Sequence, residues 1–475
     1  MKEQTDKNCA FNSERKRVNR NALISVLLAA VIIVTFFAGY FVRGTVEPEE
    51  SREMSAIMRL LKENSIYVSE ESAEESSSEF LQIDELSSQF VQKVIAPYDP
   101  YAKYYSPQEY KRLLEEDNGR YSGVGIGISE DRTTETISVT RVYLNSPAYK
   151  SGMKEQDVLL GGIKKGDTEY TYFKTAVLEF NQDKPESEKV SVLSIINEFF
   201  AGFEVGDEVK LKIWRGDGEM EFTLIKEDYV VSYVEYKDNE KAYYFSTEDD
   251  GFKGRESSDE DMILPSLSDD TGYIKLYEFE GDAAEQFEEA LEYMNTERNK
   301  TKLILDLRDN GGGIIDILLK IASHLINNVG ESKIRVLNYT DKNASSYYST
   351  TNRFNPDFLT DISVIANAGT ASAAECLIGA LMDYGDSETY HGAQFGAYRL
   401  VLTPKRNASG DEFYRTYGKG IMQTTYALSS GGALKLTTAK ISWPVSKKCI
   451  QGEGIVSTIH ESDAHAILRA DAVLH

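Results

Sequence analysis

The feature that most constrains the fold is a β-branched run that passes through small residues directly into a helical pattern. Residues 362–365 (ISVI) predict a strand, and residues 366–375 (ANAGTASAAE) predict a tight turn. Apolar residues then recur with a helical period at Cys376, Leu377, Ala380 and Leu381. Ser372 falls at the predicted start of the helix, where free N–H groups point outward. Its hydroxyl is suited to act there as a nucleophile beside an oxyanion site.

Ser372 also fits a purely structural role. With Glu375 three residues later it forms the Ser-x-x-Glu pattern of a capping box, in which the serine caps the helix. Taken by itself, this stretch favours the cap. The rest of the chain favours the nucleophile.

A second strand and turn of the same kind come earlier in the chain. Residues 303–308 (LILDLR) predict a buried strand, residues 309–313 (DNGGG) its turn, and residues 314–326 a helix. Strands that alternate with helices imply a mostly parallel α/β core, with ligand chemistry at the carboxyl ends of its strands. Both turns lie at such ends. The neighbouring elements are predicted as an acidic surface loop over 251–270, a strand over 272–279 and a helix over 283–294.

Composition excludes some classes of partner. A formal charge of −25 would repel nucleic acid and anionic lipid, so we expect neither as a ligand. A chain of 475 residues is long enough for two or three domains. The three cysteines have no CxxC spacing, so neither a metal site nor a disulfide framework is indicated, and one Cys376–Cys449 bond stays open.

The start of the chain predicts a membrane anchor. Residues 22–42 form an uncharged apolar run of the length, about 20 residues, that a span requires. Basic residues precede this run and glutamates follow it, so the positive-inside rule leaves residues 1–21 in the cytoplasm and the rest outside the cell. A cleaved signal peptide is the alternative, but the run is long and lacks a small-residue cleavage site. We therefore expect a single-pass protein of a bacterial cell membrane.

Residues 43–117 are expected to hold a Ser- and Glu-rich stalk followed by an N-terminal helical region. Within this region Ser106 and Glu109 frame a second Ser-x-x-Glu pattern, with Pro107 at the first helical position. A capped helix is predicted to begin there.

Glycines alternate with β-branched residues over 121–128 (YSGVGIGI), ahead of a strand at 137–142 and a short helix between Ser146 and Gly152. Together with a late strand at 205–215, this order resembles a PDZ domain, predicted here over 118–230. The resemblance implies that Gly125, Ile126 and Gly127 form the loop that holds the carboxylate of a peptide's C-terminus. Residues 164–200 exceed an ordinary PDZ connection, which predicts an inserted helix or flap. A nucleotide loop is the alternative for the glycines, but no GxGxxG or GKS/GKT pattern follows.

A serine nucleophile needs a base, and the five histidines show no triad-like context. A lysine can serve if burial keeps its amine neutral near pH 7. Lys419 is the candidate, since residues 417–423 (YGKGIMQ) flank it with glycines and supply Gln423 to orient the amine. The alternative is that Lys419 is simply exposed at the surface, as most lysines are.

Six segments in order resemble the C-terminal processing peptidases, also called tail-specific proteases. They are residues 99–101 (DPY), the PDZ-like stretch, 303–313, 370–375 (TASAAE), 417–423 and 434–440 (LKLTTAK). The resemblance implies a protease core over 231–465, followed by a tail at 466–475. It also implies site roles: Ser372 as nucleophile, Lys419 as base, Gln423 as the lysine's partner, the amides of Gly312 and Ala373 as the oxyanion hole, and Asp383 as a structural residue.

One interval departs from the family pattern. The lysine usually follows the serine at about half the distance found here, which would end near Ala397, a residue without an amine. Either residues 393–415 are an insertion or the catalytic lysine has been lost. We favour the insertion, because the GKGxxQ pattern and the strands after it need Lys419 in register.

The sequence thus predicts a membrane-anchored extracytoplasmic serine endopeptidase with a Ser–Lys dyad, which needs no metal or cofactor. Its substrates would be proteins or peptides with exposed C-termini, recognised by the PDZ domain, and a homo-oligomer would suit a gated protease. The first alternative is a catalytically inactive scaffold that binds protein C-termini. A hydrolase acting on small acyl compounds and a carrier of lipophilic ligands are further alternatives.

Overall fold

The computed structural model describes residues 88, 90–117, 120–131, 136–144, 146–182, 184, 189–216, 218–248, 251–260, 262–326, 333–350, 358–385, 399–406 and 412–475. The predicted membrane span and stalk lie outside these residues. Among the residues just given, no helix is long and apolar enough to cross a bilayer. The insertion predicted over 393–415 is described only in part.

Eight α-helices follow a single π-helical turn at Val91–Ile95 in the described parts of the chain. They are α1 Pro107–Asp117, α2 Pro147–Lys150, α3 Phe173–Asn181, α4 Val192–Ala201, α5 Ala283–Thr296, α6 Ile315–Leu325, α7 Ala373–Gly385 and α8 Ala466–Ala472.

The strands of the described residues form sheets of eight, six and five strands and two isolated pairs. They are β1 Lys103–Tyr105, β2 Arg120–Gly123, β3 Ile126–Asp131, β4 Thr136–Val142, β5 Val158–Ile163, β6 Thr171–Tyr172, β7 Glu208–Arg215, β8 Gly218–Ile225, β9 Glu227–Val230, β10 Val234–Lys237, β11 Ala242–Glu248, β12 Gly251–Ser257, β13 Thr271–Leu276, β14 Lys302–Asp306, β15 Arg335–Asp341, β16 Ser345–Ser349, β17 Asp361–Ala366, β18 Leu400–Leu402, β19 Lys405–Arg406, β20 Glu412–Phe413, β21 Ile421–Ala427, β22 Ala433–Ser442 and β23 Ile459–His460.

The predicted PDZ-like module is a six-stranded antiparallel sheet in the order β3-β4-β5-β7-β8, with β6 on β5. Its core alternates along the strands, so that Ile137 and Leu211 face the buried side chains of α3 and α4, such as Phe173 and Ile196. The extra helix α3 lies within residues 164–200, which confirms the inserted helix. Strands β2 and β9 pair with each other where the module joins the rest of the chain.

The core predicted over 231–465 contains an eight-stranded sheet in the order β12-β11-β10-β13-β14-β17-β18-β23. From β13 to β23 neighbouring strands are parallel, as predicted, whereas β10, β11 and β12 add an antiparallel edge. The loop predicted over 251–270 is wrong for residues 251–257, which form the edge strand β12. Its charges suit an exposed edge, since Glu256 accepts hydrogen bonds from Lys241 and Tyr293.

The second sheet has the order β1-β22-β15-β16, with β21 also paired to β22, and all its pairs are antiparallel. It carries the strands that follow the candidate lysine.

The segment predicted as a C-terminal tail over 466–475 contains helix α8. Helix α8 packs on the core sheet because Ala466, Ala470 and Leu474 recur every four residues and are buried. Its Asp471 accepts hydrogen bonds from the amide and hydroxyl of Ser268. The disulfide left open is not formed either, since Cys376 is buried, Cys449 is exposed and both are free.

Candidate active site

The two turns singled out in the sequence meet at one edge of the core sheet. Strands β14 and β17 are parallel neighbours, and Asp306 lies opposite Ile365 near their carboxyl ends. The turns are joined directly, because the Ala371 N–H donates to the Asn310 carbonyl at 2.9 Å. The predicted convergence of the glycine-rich turn and the serine turn is therefore confirmed.

Ser372 sits between β17 and α7 in an unusual backbone conformation. Its φ of +56° is left-handed, which is uncommon outside glycine and is found often at active sites. Its N–H donates to Glu375 Oε2 at 3.0 Å, which is one half of a capping box. The other half is missing, since the Ser372 hydroxyl makes no hydrogen bond to any described residue. The hydroxyl is therefore not used as the helix cap.

Glu375 ties the serine turn to the lysine loop. Its fully buried carboxylate also accepts hydrogen bonds from the backbone N–H groups of Gly418 and Lys419, at 2.7 and 2.8 Å, and from the Thr416 hydroxyl. A buried carboxylate is costly unless such donors surround it. The sequence predicted Glu375 only as the capping partner of Ser372. Its Ser-x-x-Glu spacing carries no signal of partners more than 40 residues away.

The loop that carries Lys419 is held against the serine turn by the backbone as well. The Tyr417 N–H donates to the Thr370 carbonyl at 3.0 Å. Gly418 has a φ of +90°, and a Cβ there would come within 2.8 Å of the Gly454 nitrogen, so this position requires glycine. The predicted strand entrance before β21 is thus present.

Lys419 and Ser372 line the same cleft, which has a volume of about 300 Å³. Burial lowers the pKa of the Lys419 amine, the positive charge of Lys435 lowers it further, and the carboxylate of Glu375 opposes both effects. No hydrogen bond joins Ser372 Oγ to Lys419 Nζ. The two groups thus share a site without the contact that proton transfer requires.

Gln423 lines this cleft too, but its carboxamide does not hydrogen-bond Lys419. Its Nε2 donates instead to the Tyr101 carbonyl at 2.9 Å. The Tyr101 segment is fixed by Asp99, which accepts from the Tyr101 amide and from the amide and hydroxyl of Thr437. The early Asp-Pro-Tyr segment therefore buttresses the second sheet at the cleft.

The predicted oxyanion donors differ in their availability. Ala373 is the first residue of α7, and its N–H has no hydrogen-bond acceptor among the described residues. The Gly312 N–H is already donated to Asn310 Oδ1 at 2.9 Å. Gly312 packs directly on the serine turn, since a Cβ there would lie 2.7 Å from Ser372 Cβ. For Gly312 to act as a donor, the Asn310 bond has to break first.

The walls of the cleft differ in character. Glu278, Glu280 and Lys435 contribute charge, and the apolar part is lined by Ile315, Leu318, Leu337, Cys376 and Ile441. Asp383 lies outside the cleft and accepts hydrogen bonds from the N–H groups of Val445 and Ser446, both at 2.9 Å. These contacts fit the structural role expected for it.

A second, larger groove of about 740 Å³ lies at the glycine-rich loop of the PDZ-like module. Gly125 has a φ of +84°, and a Cβ there would overlap Ser146 Cβ at 1.9 Å. The N–H groups of Val124 and Gly125 have no acceptor among the described residues, and Gly125 and Ile126 line the groove. Gly127 does not line the groove and pairs with Arg141 on the edge strand β3. The role of the three residues as a carboxylate loop stays a prediction.

The chain is similar to known proteins over most of its length. Residues 270–402 match the model of Peptidase family S41. A probable CtpA-like serine protease of Staphylococcus aureus (strain bovine RF122 / ET3-1) is 24% identical over 448 residues, covering 94% of this chain and 73% of the relative. A protein of the same description from Staphylococcus saprophyticus is 23% identical over 460 residues, covering 96% of this chain and 76% of the relative.

Among solved structures, the photosystem II D1 C-terminal processing protease is similar over 82% of this chain and 85% of its own, with 19% identity and a TM-score of 0.47. The match of residues 270–402 to this family model and the two serine protease relatives, which align along nearly the whole chain, indicate that the protein is a serine-type peptidase similar to those of family S41.

Proposed function

We propose that this peptidase is a membrane-anchored endopeptidase that uses Ser372 and Lys419 as a dyad and cleaves extracytoplasmic proteins near their C-termini. One observation carries the proposal. The Glu375 carboxylate holds the backbone of Ser372 and of Lys419 together, while the hydroxyl and the amine of these residues line one cleft and make no hydrogen bond to another described residue.

In this proposal the neutral amine of Lys419 takes the proton of the Ser372 hydroxyl as Ser372 Oγ attacks the carbonyl carbon of the scissile peptide bond. The negative oxygen that develops lies at the start of α7, where the Ala373 N–H is free to donate. The Lys419 ammonium then gives its proton to the leaving amine, and an acyl-enzyme remains on Ser372. Water attacks this ester with Lys419 again as base, which releases the acid and restores the hydroxyl.

The PDZ-like module would hold the C-terminus of the substrate. The N–H groups of Val124 and Gly125, which have no acceptor in the described part of the chain, suit a carboxylate, and Arg112 and Lys226 add positive charge along the same groove. Glu278 and Glu280 line both this groove and the cleft of Ser372. A chain whose end lies in the groove therefore has a continuous surface to follow toward the nucleophile.

Turnover of casein by the purified full chain tests the dyad. We expect the wild type to cleave casein and both Ser372→Ala and Lys419→Ala to lose cleavage while remaining folded. A folded Ser372→Ala protein that cleaves at the wild-type rate would refute the mechanism. For the module, a peptide with a free C-terminal carboxylate should bind at least tenfold more tightly than the same peptide with an amidated end; equal binding argues against tail recognition.

The anchor is proposed from residues 22–42 and their flanking charges alone. In intact bacterial cells stripped of their wall, added protease should digest residues after the span and leave the first 21 residues protected. Release of the chain into the soluble fraction, shortened at its start, would favour a cleaved signal peptide.

A second candidate function is an inactive scaffold that binds protein C-termini. Two observations favour it. Ser372 Oγ and Lys419 Nζ are not hydrogen-bonded to each other, and the Gly312 N–H already donates to Asn310 Oδ1. This candidate predicts tail binding without turnover. Tail peptide bound by the groove, with no cleavage of casein at any pH from 6 to 10, would favour the scaffold.

A further inference from the structure

A second lysine shares the cleft with the proposed dyad. Lys435, near the start of β22, lines the cleft together with Ser372 and Lys419. Across the strand pair, Lys435 lies directly opposite Lys103 of β1.

A base lysine must be neutral at the pH at which it works, and an ordinary lysine, with a pKa of about 10.4, is not. Lys419 is only partly buried, so the loss of water around its amine is incomplete. The charged groups that line the cleft or pack behind it do not all favour the neutral form. Glu375 of α7, together with Glu278 and Glu280 across the cleft, favours the ammonium, and the buried thiol of Cys376 is uncharged because its pKa is raised to about 12.

We infer that Lys435 acts through Lys419: its positive charge in the shared cleft disfavours a second positive charge, so the Lys419 amine is held in the neutral form that accepts the proton of Ser372. The inference rests on the proposed function in that it takes Lys419 as the base. The geometric basis is that both amines line one cleft, and the direction agrees with it, since Lys435 lowers the pKa of Lys419 while Glu375 opposes this effect.

The main competing role for Lys435 is to bind an anionic part of the substrate. That role predicts a rise in KM and no change in the protonation of Lys419. The proposed role predicts the reverse: a shifted pH profile and an unchanged KM. The two roles are therefore separable by experiment.

The first test measures the protonation of Lys419 without relying on catalysis. In the Ser372→Ala protein, trace labelling with acetic anhydride over a range of pH, followed by peptide mass spectrometry, gives the apparent pKa of Lys419. Lys435→Gln should raise this pKa by about 0.5 to 1 unit, the size expected of a nearby charge. Lys435→Arg should leave it unchanged, because the charge is retained. Equal values for Lys435→Gln and the parent would overturn the inference.

Lys440→Gln is the matched control. Lys440 lies on the same strand but is exposed and outside the lining of the cleft, so its loss removes the same charge without touching the site. It should shift the pKa of Lys419 by less than about 0.2 unit, because water and salt screen a charge that is exposed to solvent. A shift as large as that of Lys435→Gln would mean a general effect of net charge and would overturn the local role.

The second test is the pH dependence of kcat/KM. Activity requires neutral Lys419, so it rises with pH through the pKa of this lysine. Lys435→Gln should move the rise to higher pH and lower kcat/KM about three- to tenfold on its acid side, since one pKa unit corresponds to a tenfold change. Restored activity at high pH is part of the expected result. An effect on KM alone, or a loss that high pH does not restore, would overturn the inference.

The two tests distinguish the failure of this inference from the failure of the proposed function. If the wild type does not cleave casein at any pH, the proposed function fails, while the labelling of Lys419 still measures the effect of Lys435. If the wild type cleaves and the labelling shows no shift, only the present inference fails. The melting temperatures of Lys435→Gln and Lys440→Gln are measured in parallel, and a fall confined to Lys435→Gln would identify a merely structural loss.

Discussion

The chain contains the pattern Ser-x-x-Glu at two helix starts, and it uses the pattern in two different ways. At the start of α1 both halves of a capping box are formed: the Ser106 N–H donates to Glu109 Oε2 at 2.8 Å, and the Glu109 N–H donates to Ser106 Oγ at 3.3 Å. At the start of α7 only the glutamate half is formed. The Ser372 hydroxyl is left without a hydrogen bond to any described residue.

Surroundings account for the difference. Glu109 is exposed and accepts a hydrogen bond only at the start of its own helix. Glu375 is fully buried, and its second oxygen accepts hydrogen bonds from Thr416 and Gly418. Ser372 follows a parallel strand and has a left-handed φ, which frees its side chain from the cap position. The same four-residue pattern is thus a local device at one helix and a link between distant segments at the other.

Removal of the Ser372 hydroxyl should have the largest effect of the changes at the two helix starts. Ser372→Ala should lower the turnover of casein by about 10⁴-fold or more, because the nucleophile is lost. Its free energy of unfolding should change little, since the hydroxyl has no hydrogen bond to lose. Initial rates and urea unfolding measure both quantities. Unchanged turnover in a folded protein would return Ser372 to a structural role.

Replacing the two glutamates should give the next largest effect. Glu375→Gln replaces one of the two accepting oxygens with an NH2 group, which cannot accept from the donors around it, so we expect a loss of about 2–4 kcal/mol in the free energy of unfolding, together with a large fall in kcat. Glu109→Gln should cost less than about 0.5 kcal/mol, because glutamine also completes a capping box. Urea denaturation of the two variants gives the comparison. Equal losses would show that Glu375 is no more than a capping residue.

Gly312→Ala tests whether close packing on the serine turn positions the nucleophile. Gly312 has a φ of +99°, and the added methyl would lie 2.7 Å from Ser372 Cβ and 2.8 Å from the Ala371 carbonyl oxygen. Displacement of a nucleophile by about 1 Å costs on the order of 100-fold in rate, so we expect a fall of that size in kcat. Gly311→Ala is the matched control, because a Cβ there has no atom within 4 Å. A fall as large for Gly311→Ala would contradict the steric explanation.

Much of this site follows from local patterns in the sequence. The β-branched runs and small-residue turns predicted β14, β17 and α7, and parallel strand ends predicted that their turns would meet. The contacts of Glu375 with Thr416 and Lys419 could not be predicted, because they join segments that only the folded chain brings together. The bond from Gly312 to Asn310 depends on a side-chain rotamer, which no pattern of residue types specifies. The docking of α8 was missed because three small or apolar residues in a short helix are a weak signal.

The smallest expected effect tests the other side of the comparison. Ser106→Ala removes the side-chain acceptor of the Glu109 N–H, and loss of such a cap typically costs about 1 kcal/mol. Helix α1 contacts β1 and β2, and neither Ser106 nor Glu109 lines the cleft of Ser372, so kcat should not change. Ser106→Asp, which caps as well as serine, should restore the stability. A variant that keeps its stability but loses turnover would mean that α1 contributes to the active site, and the division between a capping serine and a catalytic serine would then have to be drawn elsewhere.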